Sequence, residues 1–265
     1  MKKYIYMRSS LDWGRLKSID DYLAANAEAR PLMKNWLPRL AESIKKWDSA
    51  FNIKYFEFRE MMKNITLNSI SKIKDATITS NLENKFREDN DDFMIYPIDD
   101  DDWVSEDIFK SVCLELNEED DAAVWPFGFF RSNKAMKTDI RKPIDDIKWV
   151  YSNNAVITRK GYEKFCSLCV ECDFLENHRE ADELCQKNGV NVRVIDKALS
   201  AYNHSPASAT KLWGLTAGNK DEDVHTLLSN YGKMPHIPEE LAWSIPYAEE
   251  MWGLISELRR RRFFL

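Results

Sequence analysis

The chain has 265 residues, 44% hydrophobic and 31% charged, which is enough for one large α/β domain or two small ones. Its net charge of −6 at pH 7 argues against a general nucleic-acid binder. No apolar run reaches the roughly 20 residues of a membrane span, the N-terminus has no signal-peptide pattern, and the five cysteines are an odd number; we therefore expect reduced thiols and a cytoplasmic protein.

The N-terminal part of the chain predicts a strand followed by helices. Residues 4–7, Tyr-Ile-Tyr-Met, are predicted to form the first strand, and Arg8 and Ser9 follow it, placed to face a ligand at its carboxyl end. Residues 31–47 carry apolar side chains at spacings of four, four, four and three, which predicts a helix. Residues 51–58 alternate apolar and polar side chains, which favours a second strand.

The stretch 93–109, FMIYPIDDDDWVSEDIF, combines a strand, an acidic cluster and a helix start. Its first six residues have the length of a buried strand, and four aspartates, residues 99–102, follow immediately. Ser105 is then predicted to cap a helix whose first turn contains two acids. Because ligands of open α/β sheets bind just outside the carboxyl ends of strands, this cluster is the first candidate site.

Four adjacent carboxylates repel one another, so a partly buried strand end needs a compensating cation. Hard oxygen ligands select Mg²⁺, Mn²⁺ or Ca²⁺, and Mg²⁺ commonly takes one or two carboxylates and completes its shell with substrate phosphates. The sequence leaves two pairs open as ligands of the metal ion: Asp100 with Asp102, and Asp99 with Asp101. The alternative is an acidic loop that only solvates a surface. Trp103 is predicted to stack on a sugar or base, with packing at the strand end as its alternative.

The rest of the chain alternates predicted helices and strands. An apolar run at 122–130 is interrupted by Pro126 and Gly128, and a basic stretch at 131–142 is either a solvated loop or a phosphate contact. The segments are predicted as a helix at 106–114, a short strand and turn at 153–161, a helix at 162–172, a strand at 190–195 and a helical region at 209–265.

Two later motifs complete an ordered set with the first strand and FMIYPIDDDDW. Glu-Ala-Asp-Glu-Leu at 180–184 precedes a helix stop at Asn188-Gly189, and Leu-Ser-Ala-Tyr-Asn-His-Ser-Pro-Ala-Ser fills 199–208. This order resembles that of GT-A-type glycosyltransferases, which use nucleotide sugars, and is most similar to a rhamnosyltransferase-like group. The resemblance implies an α/β fold with an open, mostly parallel twisted sheet flanked by helices over 1–210, and a helical C-terminal extension over 211–265.

The resemblance also implies a role for each motif. The aspartates look like a D-x-D metal motif, the Glu-Ala-Asp-Glu stretch looks like the motif that supplies the catalytic base, and the histidine of the last motif looks like a third metal ligand. The implied sets are Arg8, Ser9, Asp99, Asp100, Asp101 and Trp103 for the donor, Asp100, Asp102 and His204 for Mn²⁺ or Mg²⁺, and Asp182 as base, with Glu180 and Glu183 as alternatives.

The chemistry follows from what sugar transfer needs. A divalent ion neutralises the diphosphate leaving group as a Lewis acid, and a carboxylate takes the proton of the acceptor hydroxyl. We therefore predict a metal-dependent glycosyltransferase that acts on a glycan or lipid-linked acceptor, in bacterial cell-surface polysaccharide synthesis. The alternatives are a metal-dependent phosphohydrolase and a non-catalytic acidic protein that binds metal or a basic partner.

The last residues of the chain, 259–265, read Arg-Arg-Arg-Arg-Phe-Phe-Leu. Basic residues near an anionic membrane surface contribute about 1 kcal/mol each to binding, so this tail is a candidate for peripheral membrane contact. The alternative is a helix end whose cations complement the helix dipole.

Overall fold

The computed structural model describes residues 1–8, 21, 37–51, 53–79, 91–138, 152–168, 189–208 and 228–262. Within them lie ten strands and five α-helices. The strands are β1 (Lys2–Arg8), β2 (Ala76–Thr79), β3 (Phe93–Asp99), β4 (Trp103–Val104), β5 (Ala122–Val124), β6 (Phe127–Arg131), β7 (Lys134–Thr138), β8 (Ala155–Thr158), β9 (Val192–Val194) and β10 (Ser200–His204). The helices are α1 (Leu37–Ala50), α2 (Tyr55–Ser71), α3 (Ile108–Glu115), α4 (Arg159–Leu168) and α5 (Ile245–Arg262).

The strands form two sheets. The larger has the order β2-β1-β3-β8-β5-β9, in which β8 is antiparallel to both of its neighbours and the other pairs are parallel. The smaller has the order β4-β10-β6-β7, with β10 parallel to β6 and antiparallel to β4, and β6 antiparallel to β7. The predicted α/β class, with a mostly parallel sheet, flanking helices and a helical C-terminus, is confirmed.

Alternation along the strands decides which face of the large sheet each side chain covers. Tyr4 and Tyr6 of β1 join one buried cluster with residues of β3, β5 and β8, and Ile5 and Met7 join another on the opposite face with α3. A third cluster brings together α1, α2, the small sheet and α5. Both faces of the large sheet are therefore buried, as the continuous apolar run of β3 predicts.

Several local predictions are wrong. The strand expected at 51–58 is absent from the described residues of that range. Helix α2 begins at Tyr55, because buried side chains from Tyr55 to Ile70 follow a helical repeat, and residues 51, 53 and 54 lie in the connection before it. Strands β2 and β10 were not predicted. The residue that caps α3 is Asp107, without a side-chain cap bond, and Ser105 lies two residues earlier, where its hydroxyl accepts from the Asp107 amide. Residues 134–138 of the basic stretch 131–142 form strand β7 rather than a loop, and 139–142 lie outside the described residues.

Two further expectations concern the whole chain. The division into 1–210 and 211–265 stays a prediction; α5 packs in the same core cluster as α2 and the small sheet. Among the residues described, no helix combines the length and apolar character needed to cross a membrane.

Candidate functional site

The four aspartates form a tight loop at the carboxyl end of β3, which we call the aspartate loop (residues 99–102). Asp99 is the last residue of β3 and pairs in register with Arg8, the last residue of the parallel strand β1. The amide of Asp102 donates to the carbonyl of Asp99 at 3.2 Å, which closes the turn. The predicted donor-site residues Arg8 and Asp99 therefore lie side by side at the carboxyl edge of the sheet, where open α/β sheets bind ligands.

A buried arginine pairs with two of the four aspartates of the loop. Arg59 on α2 donates to Oδ1 of Asp100 at 2.5 Å and to Oδ2 of Asp101 at 2.7 Å. All three side chains are at most 13% exposed. A guanidinium on α2 thus supplies one positive charge at this strand end. The divalent ion expected there from the sequence stays a prediction.

The charges at this contact shift two pKa values. Burial by itself would lower the pKa of Arg59, but the charges of Asp100 and Asp101 outweigh burial and raise it, so the guanidinium stays charged. Burial raises the pKa of Asp101 to about 6, against the lowering effect of Arg59 and with further raising by Asp100 and Asp99. Asp101 consequently holds its proton to a higher pH than an ordinary aspartate does.

The Asp102 carboxylate is enclosed and hydrogen-bonded by other residues of the protein. It is fully buried, its Oδ1 accepts from the amide of Asn203 at 2.8 Å, and its Oδ2 accepts from the Asn153 side chain at 2.6 Å. Asn203 also donates to the carbonyl of Asp101 at 3.0 Å, and the Tyr96 hydroxyl donates to the carbonyl of Asn153 at 3.0 Å. Asp102 therefore joins the large sheet, the small sheet and the loop through hydrogen bonds.

The predicted metal ligands do not come together. In the described part of the chain, no three His, Cys, Asp or Glu side chains form a group that could hold a metal ion. Asp100 is paired with Arg59, and Asp102 is buried with a hydrogen bond to each oxygen. His204 follows Asn203 on β10 and so faces the opposite side of the strand. The set of Asp100, Asp102 and His204 therefore does not fit one ion, and the role of Mn²⁺ or Mg²⁺ stays a prediction.

Trp103 is also placed differently from its prediction. Its ring is fully buried and packs edge-on against Phe130 at 4.9 Å between ring centroids, with Tyr247 of α5 at 6.3 Å. A ring enclosed in this way has no face for a sugar or base. The packing alternative is correct, because β4 directs Trp103 into the core between the small sheet and α5.

Three predicted site residues, Ser9, Glu180 and Asp182, lie outside the described residues, so their roles stay predictions. The sequence reasoning missed Arg59, Asn153 and Asn203. For Arg59 a signal was present: it lies four residues after Tyr55 on the apolar face of a helix, and a cation in that position needs a buried partner. For the two asparagines, the sequence has no comparable signal.

The similarity of this chain to known proteins is distant. No protein-family model matches the chain, and no curated protein matches it. Among solved structures, S. aureus TarS 1-349 in complex with UDP is similar at 11% identity and a TM-score of 0.34, over 87% of this chain and 70% of that one. The same TarS segment in complex with UDP-GlcNAc is similar at 11% identity and a TM-score of 0.34, over 93% and 73%. A likeness this loose transfers no residue role or activity.

Proposed function

We propose that the protein is a glycosyltransferase that takes a sugar from a nucleotide-sugar donor and transfers it to a glycan or lipid-linked acceptor. The observation that carries the proposal is the aspartate loop at the carboxyl edge of β1 and β3, stabilised by the buried Arg59. This is the edge at which open α/β sheets bind nucleotides. The ordered motifs of the sequence support the same function.

The proposal gives the loop residues different tasks. Asp99, beside the end of β1, is half-buried, and a carboxylate accepts hydrogen bonds from ribose or sugar hydroxyls. Asp100 and Asp101 are held by Arg59, which fixes the conformation of the loop. Asp102 joins the loop to the small sheet through Asn203. The donor thus meets a preformed edge, which lowers the entropy that binding costs.

The acceptor hydroxyl must lose a proton when the new glycosidic bond forms. We propose Asp182 as the carboxylate that takes this proton, with Glu180 as the alternative. Synthesis of a bacterial surface polysaccharide is the setting in which we place the reaction.

Nucleotide binding tests the proposal directly. We would titrate UDP, GDP and dTDP into the protein by calorimetry, once with Mn²⁺ and once with EDTA. We expect one nucleotide to bind, and Asp99→Asn to weaken its binding about tenfold, because a charge-assisted hydrogen bond contributes about 1.5 kcal/mol or more. Asp107→Asn is the matched control, since Asp107 has only loose, exposed ion pairs at 3.5 and 4.0 Å.

The two conditions separate the parts of the proposal. If none of the three nucleotides binds in either condition, the glycosyltransferase proposal is wrong. If one binds equally well in EDTA, metal dependence of donor binding is wrong and the transferase proposal stands.

A further inference from the structure

One face of the small sheet carries aromatic and basic side chains that are not part of the proposed donor site. The register of β10, β6 and β7 arranges this face in three rows. The rows are Ser200, Phe127 and Thr138; then Tyr202, Phe129 and Met136; then His204, Arg131 and Lys134. We call the second and third rows, from Tyr202 to Lys134, the aromatic–cationic face.

The aromatic rings on this face are arranged in parallel and in contact. Phe129 and Tyr202 stack with an interplanar angle of 8° and 5.6 Å between centroids. The His204 ring lies 4.8 Å from Tyr202 and 5.2 Å from Phe129, and its Nε2 is 3.1 Å from the Tyr202 hydroxyl. These three residues are half-buried, and Met136 beside them is 36% exposed.

The opposite face of the same strands is ordinary core. Phe130 and Ala201 point that way into the cluster with α2 and α5, and a Cβ on Gly128 would lie 2.9 Å from the Leu241 side chain. One face of the sheet is therefore packed, whereas the other leaves a patch of aromatic rings partly open to solvent, which is a common mark of a binding surface.

Cations border the aromatic row. Arg131 and Lys134 are exposed neighbours across the β6–β7 hairpin. The Tyr231 hydroxyl donates to the carbonyl of His204 and so fixes the end of β10; burial raises the pKa of Tyr231, which keeps this donor protonated. A ligand here meets half-buried aromatic rings on one side and two exposed positive charges on the other.

The strand that carries Tyr202 and His204 contacts the aspartate loop through its backbone. The amide of Asn203, the residue between Tyr202 and His204, donates to Asp102. Since neighbouring strands lie about 4.8 Å apart, Phe129 on β6 is only about 10 Å from the line of β4, where the loop ends. A group bound at this end of the face therefore lies beside β10, the strand whose backbone amide contacts the loop.

We propose that the aromatic–cationic face binds the acceptor, and that the group it recognises is a phosphorylated carbohydrate. The aromatic row accepts the apolar face of a sugar ring, and Arg131 and Lys134 pair with the phosphate. This assignment rests on the proposed glycosyltransferase function, and it adds the chemical class of the acceptor. The two cations of the third row favour an anionic ligand over a purely neutral glycan.

Ligand-observed NMR with three probes tests the assignment: α-glucose 1-phosphate, methyl α-glucoside and inorganic phosphate, each without nucleotide and with a saturating concentration of the nucleotide that calorimetry identifies. We expect the sugar phosphate to bind more tightly than either fragment, and its binding to weaken as salt is added. The double variant Arg131→Gln/Lys134→Gln should weaken it about fivefold or more. The control is Lys45→Gln/Lys110→Gln, which removes two exposed cations elsewhere and should leave binding unchanged.

A second variant examines the ring contact. Phe129→Leu should weaken the sugar phosphate and the neutral glucoside alike, about threefold, and should leave inorganic phosphate unaffected. The proposal is overturned if no probe binds, if the nucleotide displaces the sugar phosphate, or if Arg131→Gln/Lys134→Gln binds the sugar phosphate as the wild type does. Nucleotide binding reports on the donor site separately, so loss of the acceptor assignment and loss of the transferase function are distinguishable.

Discussion

Arg59 is the residue whose replacement should most disturb the aspartate loop. Arg59→Gln leaves Asp100 and Asp101 buried without the cation that now lies 2.5 and 2.7 Å from them. Removing one partner of a buried ion pair costs about 3–5 kcal/mol. Asp101 already has a pKa of about 6 and can take up a proton, which limits the cost to about 3 kcal/mol. For a chain of this length, that lowers the melting temperature by about 6–12 °C.

Urea denaturation of wild type and variant at neutral pH measures this loss. Arg261→Gln is the matched control, because Arg261 pairs with Glu257 at 3.2 Å with both side chains 40% exposed, and such pairs contribute at most about 1 kcal/mol. Adding Asp100→Asn and Asp101→Asn to Arg59→Gln should restore part of the stability, since neutral amides need no cation. If Arg59→Gln costs no more than the control, the loop does not depend on a buried counter-charge.

Two further predictions concern pH and packing. Burial raises the pKa of Asp101 from 3.8 to about 6, so the folded state binds this proton more tightly than the unfolded state. The bound proton therefore contributes to stability at low pH, and this contribution is lost as the pH rises through about 6. Asp101→Asn should abolish that loss when the free energies of unfolding are compared across this pH range. If the difference in free energy between wild type and variant does not change with pH, the raised pKa of Asp101 is wrong. Gly161→Ala should cost about 1–3 kcal/mol, since the new Cβ would lie 2.1 Å from the backbone carbonyl oxygen of Asp121. Gly253→Ala, where a Cβ meets nothing within 4 Å, should instead stabilise α5 by about 0.5–1 kcal/mol; equal effects in a thermal scan would contradict the packing argument.

Sequence patterns predicted the elements whose formation depends on residues that are close together in the chain. The apolar run of β3 and the aspartates that follow it are contiguous in the chain, so both the strand and its acidic end were evident. The same reasoning failed at 51–58, because eight residues of alternating character are too few to distinguish a strand from the first turns of a helix. Strand β10 was missed because its five residues, Ser-Ala-Tyr-Asn-His, are mostly polar.

By itself, the sequence determined that this is an α/β chain whose most unusual feature, a row of four carboxylates, lies at the end of a buried strand. Periodicity and composition are local properties, and they are sufficient for that. Only the tertiary structure decided what each carboxylate does. Arg59 reaches Asp100 from 41 residues away, and Asn203 reaches Asp102 from 101 residues away. Such pairs form because buried charges and polar groups must find partners wherever the packed chain brings them together, and no local pattern encodes that meeting.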